Sequence, residues 1–545
     1  MYRQYLTRQQ LRDRFGAGSQ TVSRVSAWAR SAGFTVNGLD STGSRLTLTA
    51  TARTARVAFG VGLVMQRIGG VQVRVATGTP RPPAAVAADI RAVSGLSEHV
   101  ATPLRVKPGA PAVAGPSTTA AGDGPYCATY WGEWNKQSVP QKYPAGYQSN
   151  ELCGYNGAQL RALYGLSAAD RGQGQTIAIV GAYHSATTLT DANTAAVRNG
   201  VPPLRPDQLV VKQYPIPAGD GSGCDQDTWH AEEALDVQAA HTTAPDARLV
   251  YVAAPDCTRL EDALAAAVDD SSLGATVVSN SWGILGAEPA DTQYLTATNN
   301  VLARAAVLGI GTYFGSGDSG DNSTLPGAQG PSVTFPSSSP WTTAVGGTSS
   351  AVGVGNRVLW QTGWEDAGNT LSGGSWTRLN PPLLAGAGGG ASQRFDKPTW
   401  QSNLAGSKRM VPDIAALADP YTGFFVGYTT SGGQYIGTPL GGTSLASPIV
   451  ASLVAVAQGR AGADSDVGLL APVLYAKAGS GSGVVADVQH VAAGVWAPSV
   501  GAGNPRGDYL VDLDAGVQTL KTGSGWDPVT GLGTPGPGFL TGIVS

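Results

Sequence analysis

The chain of 545 residues carries little charge: Asp, Glu, Lys and Arg make up 13% of it and nearly cancel, to a formal net charge of −3. That balance leaves no basic footprint and excludes a general nucleic-acid binder. No apolar run approaches the roughly 18 residues of a membrane span, so no transmembrane helix is expected. The hydrophobic share of 42% is ordinary, which excludes a largely disordered chain. Cysteine is scarce, with four residues, and none stands in a Cys-x-x-Cys metal or redox pattern. They group as Cys127/Cys153 and Cys224/Cys257. An even, sparse set reads as two structural disulfides, with four buried thiols as the alternative. Met1 to Gln10 contain no apolar export segment, which conflicts with disulfides unless the chain starts late. What is plentiful is glycine, 75 residues without a collagen period, which predicts many tight turns.

At this length two or three domains are expected. Residues 1–100 are arginine-rich, with helical patterns near Leu6–Phe15 and Thr21–Ala32 and alternating apolar runs at Arg45–Thr51 and Val71–Ala76. They read as a small α+β module. Residues 101–124 turn to Pro, Ala, Gly and Thr without apolar period and read as a linker. A basic module joined in this way to a larger acidic one reads as a propeptide with its cleavage region, or as two domains simply tethered. In 125–545, the β-rich runs Gln175–Val180, Ala247–Ala253, Ala275–Ser279 and Ile310–Phe314 alternate with helical patterns. Those patterns are Thr228–His241, Arg259–Val268 and Ala297–Val307. This predicts an α/β domain, a mostly parallel sheet with helices on both faces. Chemistry in such sheets gathers at the carboxyl ends of the strands.

Three features stand near such ends. Gly441-Gly442-Thr443-Ser444-Leu445-Ala446-Ser447-Pro448 leads into a buried-helix pattern, which puts Ser444 on the first turn after a glycine bend. A helix cap is the plainer reading. Gly346-Gly347-Thr348-Ser349 repeats the same four letters with no proline and no helix after them, so Ser349 is expected in a loop and Ser444 is the candidate nucleophile. A serine needs a base. None of the five histidines is followed by Gly-Thr, so a subtilisin-like Ser-His-Asp arrangement finds no matching motif and leaves only His230 or His241 as minor candidates. Glu232 and Asp236 are four apart, which on a helix places both carboxylates on one face. Close carboxylates share a proton and split their pKa values, leaving one fit to act as a base in acid. Flanking Ala234, Leu235 and Val237 favour burial over a solvated acidic pair. The third feature is Asp318, in Gly315-Ser316-Gly317-Asp318-Ser319-Gly320 after a strand; held protonated, it could donate to an oxyanion.

Together, in this chain order, these residues resemble the sedolisins, the serine-carboxyl peptidases of kumamolisin type. Tyr5-Leu6-Thr7, Arg14-Phe15-Gly16 and Ala58-Phe59-Gly60 look like that family's activation propeptide. The resemblance implies a subtilisin-like fold and a secreted, acid-acting endopeptidase made as a zymogen and inhibited by its own propeptide. Glu232 would be general base, Asp236 its support, Ser444 the nucleophile and Asp318 the oxyanion donor. It further implies protein or peptide substrates, a monomer, and no nucleic-acid or membrane partner. Ser281-Trp282-Gly283 looks like the substrate-lining edge, although Trp282 fits equally as a core aromatic. One Ca²⁺ is implied on carboxylates of Asp487 and Asp527 and carbonyls of Val488, Gly523 and Gly525, a hard oxygen set. A glutamate that some kumamolisin-type enzymes carry after the first catalytic-domain strand is absent, since Ile177–Val180 runs into Gly181-Ala182. A silent binding protein of the same fold and a tripeptidyl-peptidase are the rival readings.

Overall fold

Strands that are apolar on both faces must be covered on both faces. The computed structural model, which describes residues 4–106, 127–216, 223–286, 288–462, 465–500 and 506–545, arranges them so. Its main sheet contains β1 (Thr176–Ala182), β2 (Leu209–Gln213), β3 (Arg248–Ala254), β4 (Val277–Asn280), β5 (Gly311–Gly315), β6 (Thr343–Val352) and β7 (Val358–Gly363). Their order is β7-β6-β5-β4-β1-β3-β2, and every neighbouring pair is parallel except β6 with β7. A further strand, β8 (Ile414–Leu417), also runs parallel to β6. Helices α1 (Gln226–Thr243) and α4 (Thr443–Ala461) cover one face; α2 (Leu260–Asp269) and α3 (Thr292–Val307) cover the other. The alternation of β1 shows why: Ile177 and Ile179 join the core under α1 and α4, while Ala178 and Val180 join that under α2 and α3. The α/β class and the helix and strand positions match expectation to within a few residues. Among the described residues no helix is long and apolar enough to cross a membrane.

The amino-terminal module folds as helices Arg8–Phe15, Ser19–Ser31 and Ala52–Phe59 with two antiparallel hairpins, around Trp28, Phe34, Phe59 and Val61. It lies against α2 and α3. Arg45 pairs with Asp262 and Glu261, Arg8 donates to the Val268 carbonyl at 2.7 Å, and Glu98 receives Arg259 at 3.1 Å. Cys127 is bonded to Cys153 and Cys224 to Cys257.

Three expectations are corrected. Ser349 is not in a loop; it lies inside β6 and is fully buried. The linker does not begin at residue 101, because Ala101–Val106 is extended and hydrogen-bonded to Cys257, Ser281 and Gly441 of the large domain; residues 107–126 lie outside the described residues. A second, five-stranded sheet of Gln148–Asn150, Glu365–Ser372, Ser375–Gly386, Ala493–Ala497 and Tyr509–Leu513 was not foreseen.

Candidate active site

Gly442 starts the site. Its φ of +98° turns the chain sharply into α4, a conformation that suits glycine, and delivers Ser444 to the helix's first turn. Pro448 has no N–H, so the Ser444 carbonyl four residues earlier lacks its helical donor. The hydroxyl of Ser281, just past β4, stands in that place, 3.1 Å from the Ser444 carbonyl. The same hydroxyl lies 2.6 Å from Asp236 Oδ1. Ser281 thus ties α4 to α1, a link that the sequence alone did not assign to it.

Glu232 and Asp236 sit on the buried side of α1, 2% and 1% exposed. Burial, and then each group's negative neighbours, push both carboxyls well above the usual carboxylate range. For Glu232 the largest neighbour effect is Asp236; the Ser444 hydroxyl and Arg105 act in the opposite direction. For Asp236 the Ser281 hydrogen bond opposes burial and Glu233 adds to it. Ser444 Oγ is close enough to be felt by Glu232, yet its hydroxyl points to the Ser281 carbonyl at 3.2 Å, and both Glu232 oxygens are without a hydrogen-bond partner. Glu233 is already engaged: His184 Nδ1 and the Ser185 N–H contact it at 2.6 and 2.8 Å. Beside Gly181 the space is filled from β3, since a Cβ there would stand 2.3 Å from the Tyr251 hydroxyl, which donates to the Ala182 carbonyl at 3.2 Å.

Asp318 follows β5, as the strand-end argument requires. Its Oδ1 accepts from the Thr443 N–H and hydroxyl, each at 2.8 Å. Its Oδ2 is buried without a partner, and burial lifts the carboxyl to about 7. A carboxyl held this way is protonated in acid and has one O–H left to give.

What faces that O–H is the chain itself. Thr102–Pro103 pairs antiparallel with Trp282–Gly283, and the Leu104 N–H donates to the Ser281 carbonyl at 3.0 Å. Ala101 bonds Cys257 at 2.9 Å, and Val106 exchanges hydrogen bonds with Gly441 at 3.1 and 2.8 Å. Between these anchors the Ser444 N–H donates to the Leu104 carbonyl at 2.7 Å. A Cβ on Gly442 would lie 2.3 Å from that carbonyl oxygen and 2.5 Å from Asp318 Oδ2, so the two oxygens are neighbours. The Leu104 side chain, 1% exposed, reaches the walls made by Gly315 and Gly283. Residues 101–106 therefore cross Ser444 as an extended strand, with the Leu104 carbonyl held by the Ser444 N–H and Asp318 Oδ2 on the same side. Trp282 is a core aromatic, its buried side chain packed on Phe314, while its backbone pairs with Pro103.

The histidines do not join. His241 Nε2 contacts the Pro202 carbonyl at 2.6 Å, and His230 lines a separate cavity of about 380 Å³ with His184 and Tyr183. At the carboxyl end, Gly525 N–H donates to Asp487 Oδ1 at 3.1 Å and Gly523 N–H to Asp527 Oδ2 at 3.3 Å, so one loop touches both carboxylates. Two carboxylates with the carbonyls of Val488, Gly523 and Gly525 fit a hard divalent cation by donor chemistry. No cluster of three His, Cys, Asp or Glu groups exists among the described residues, so carbonyls would have to complete such a set.

Residues 1–99 match the family description "Pro-kumamolisin, activation domain", and residues 222–471 match "Subtilase family". Kumamolisin of Bacillus sp. (strain MN-32) is 33% identical over 338 residues, 58% of this chain and 50% of that one. Sedolisin of Pseudomonas sp. (strain 101) is 29% identical over 399 residues, 70% of this chain and 60% of that one. The match therefore spans only half to three-fifths of these relatives. Among solved structures, Pseudomonas sedolisin, a serine-carboxyl proteinase complexed with two molecules of pseudo-iodotyrostatin, superposes with a TM-score of 0.54 at 27% identity, covering 70% of this chain and 95% of that one. An activation domain in front, a subtilase-type sheet behind it and relatives of both kinds lead to one conclusion: the chain belongs to the sedolisin family, kumamolisin type.

Proposed function

We propose that the protein is an acid-acting serine-carboxyl endopeptidase made as a zymogen, and that it first cuts itself between Leu104 and Arg105. The observation that carries this reading is the Leu104 carbonyl, held by the Ser444 N–H and adjacent to the unpartnered Asp318 Oδ2. Ser444 Oγ attacks the carbonyl carbon as its proton passes to Glu232, with Asp236 holding the pair's shared proton. The charge that develops on the carbonyl oxygen is met by the Ser444 N–H and by the Asp318 O–H. Glu232 then returns the proton to the Arg105 nitrogen as the C–N bond breaks, leaving Leu104 as an ester on Ser444, which water hydrolyses through the same base. Endopeptidase action is favoured over removal of tripeptides because four residues, Ala101 to Leu104, precede the bond in the cleft and the chain continues beyond them.

Asp487 and Asp527, with the carbonyls of Val488, Gly523 and Gly525, would hold a Ca²⁺, which when bound neutralises the two carboxylates and braces the loop. The two disulfides support a secreted enzyme working outside the reducing cytosol. The test is acid incubation of the full chain followed by amino-terminal sequencing. The expected new terminus is Arg105. Ser444→Ala and Glu232→Ala should stay intact, while His230→Ala and His241→Ala should process normally. An intact chain with an unchanged terminus and no hydrolysis of a denatured protein substrate would favour a silent relative.

A further inference from the structure

Arg105 is the first residue beyond the proposed cut, so its surroundings describe the subsite that receives the leaving side of a substrate. This inference rests on the peptidase reading above. The Arg105 side chain is 11% exposed. Its Nε donates to the Thr228 carbonyl at 3.2 Å and stands 4.0 Å from Glu232 Oε2. Asp225 caps α1 through the Thr228 and Asp227 amides, and its carboxyl is held below the usual range first by the Thr228 hydroxyl and also by the Arg105 charge. Cys224, bonded to Cys257, pins the residue next to it. Across the subsite Tyr428 feels both Arg105 and Asp227, and Asp227 is itself fixed by the Ser431 hydroxyl at 2.6 Å. The site thus presents to the guanidinium a helix carbonyl by hydrogen bond and the carboxyl of Glu232 at 4.0 Å, with Asp225 near enough to act on it by charge and the Tyr428 phenol close by.

We infer that this subsite selects peptides with a basic side chain immediately after the scissile bond, so that the preferred substrate joins an apolar residue to Arg or Lys. A neutral side chain of equal length can still give the Nε–H bond to the Thr228 carbonyl, so the discrimination comes from the positive charge that Glu232 and Asp225 attract and a neutral side chain lacks. The carbonyl and the fixed aspartates are built in before substrate arrives, so the cost of ordering them is already met.

The experiment uses the full chain after acid incubation and two peptides of sequence Ala-Thr-Pro-Leu-Xaa-Val, with Xaa either arginine or citrulline, its uncharged isostere. The expected kcat/KM is at least about tenfold higher for arginine. Asp225→Ser, which keeps a cap on α1 but removes the charge, should narrow that ratio about threefold. Equal rates, or faster cleavage of citrulline, overturn the inference. Hydrolysis of neither peptide overturns the peptidase reading instead. In that event amide exchange in the Ser444→Ala chain decides the subsite: Arg105→Met should speed exchange at the Leu104 and Val106 amides about tenfold, and unchanged exchange overturns it.

Discussion

Gly346-Gly347-Thr348-Ser349 and Gly441-Gly442-Thr443-Ser444 are the same four residues with opposite fates. The first lies within β6, where Ser349 is flat in the sheet and sealed. The second bends at Gly442 and opens α4. Each serine also faces a buried carboxyl pair: Ser444 has Glu232 and Asp236, and Ser349 has Asp419 with its neighbour Asp366. A serine near two coupled carboxyls is therefore not enough. The second site differs by a glycine at positive φ, which lets a peptide carbonyl come close, by the Ser444 N–H that donates to that carbonyl with Asp318 Oδ2 nearby, and by a sheet edge beside it. The glycines differ in purpose as well. A Cβ on Gly442 would strike the Leu104 carbonyl, whereas one on Gly347 would stand 2.6 Å from the Ala418 Cβ and 2.8 Å from Trp364. One glycine makes room for substrate, the other for the core.

The comparison breaks most sharply at the serines. Ser444→Ala should abolish processing and peptide hydrolysis, whereas Ser349→Ala should keep at least about half the activity and lose only about 1 kcal/mol, read by urea unfolding. Processing in the Ser444 variant would end the present assignment.

The glycines give the next effect. Gly442→Ala should lower kcat/KM by about a hundredfold with an unaltered circular dichroism spectrum, because the misplaced chain spoils the alignment at Ser444. Gly347→Ala should instead cost about 1–3 kcal/mol of stability through overpacking, with kcat/KM of the folded fraction preserved.

pH separates the donors from the base. Asp318 donates only while protonated, so activity should fall as pH rises through about 7. In Asp318→Asn the amide oxygen takes the Thr443 hydrogen bonds and the NH₂ faces the substrate carbonyl. The rate should drop about tenfold to a hundredfold, and what remains should no longer fall through neutrality. A wild-type optimum at or above neutral pH would remove Asp318 from its role.

The smallest effect belongs to the sealed pair. Burial lifts Asp419 to about 6, and burial together with Asp419 lifts Asp366 well above its ordinary range. Because the folded chain binds these protons more tightly than the unfolded chain, their stabilisation is complete below about pH 4 and is lost as pH rises through about 6. The melting temperature should therefore decline by about 5 °C between pH 4 and pH 7, and Asp419→Asn should flatten that slope. Ala418 accepts the Gly442 N–H at 2.6 Å, so the sealed pair lies next to the turn that aims Ser444.

The parallel strands β1, β3 and β4 were legible because a strand buried on both faces has to be an unbroken apolar run. Helix α1 was legible because Ala234, Leu235 and Val237 surround the acidic pair with residues that seek the core. β6 was not, since Thr-Ala-Val-Gly-Gly-Thr-Ser-Ser reads as turn letters and becomes a strand only because β5, β7 and β8 supply its partners. The second sheet went unseen although Ala493–Ala497 and Tyr509–Leu513 are apolar, because its other strands, such as Gln148–Asn150 and Glu365–Ser372, are polar and pair only across long chain separations. Ala101–Val106 read as linker because six extended residues have no period of their own; pairing with Trp282 and Gly441 makes them a strand.

By itself the sequence determined the fold class and the spacing of Glu232 and Asp236, since burial and helical periodicity act over short stretches; it grouped the cysteines in pairs, and the fold decided the disulfides. The tertiary structure alone decided that Ser281 links Asp236 to α4, that Tyr251 fills the space beside Gly181, and that Leu104 and Arg105 rest on Ser444 and Glu232. Those contacts join residues more than a hundred positions apart or depend on a hydroxyl or phenol whose role only its neighbours define, and hydrogen bonds act over about 3 Å, a distance that only the folded chain brings within reach.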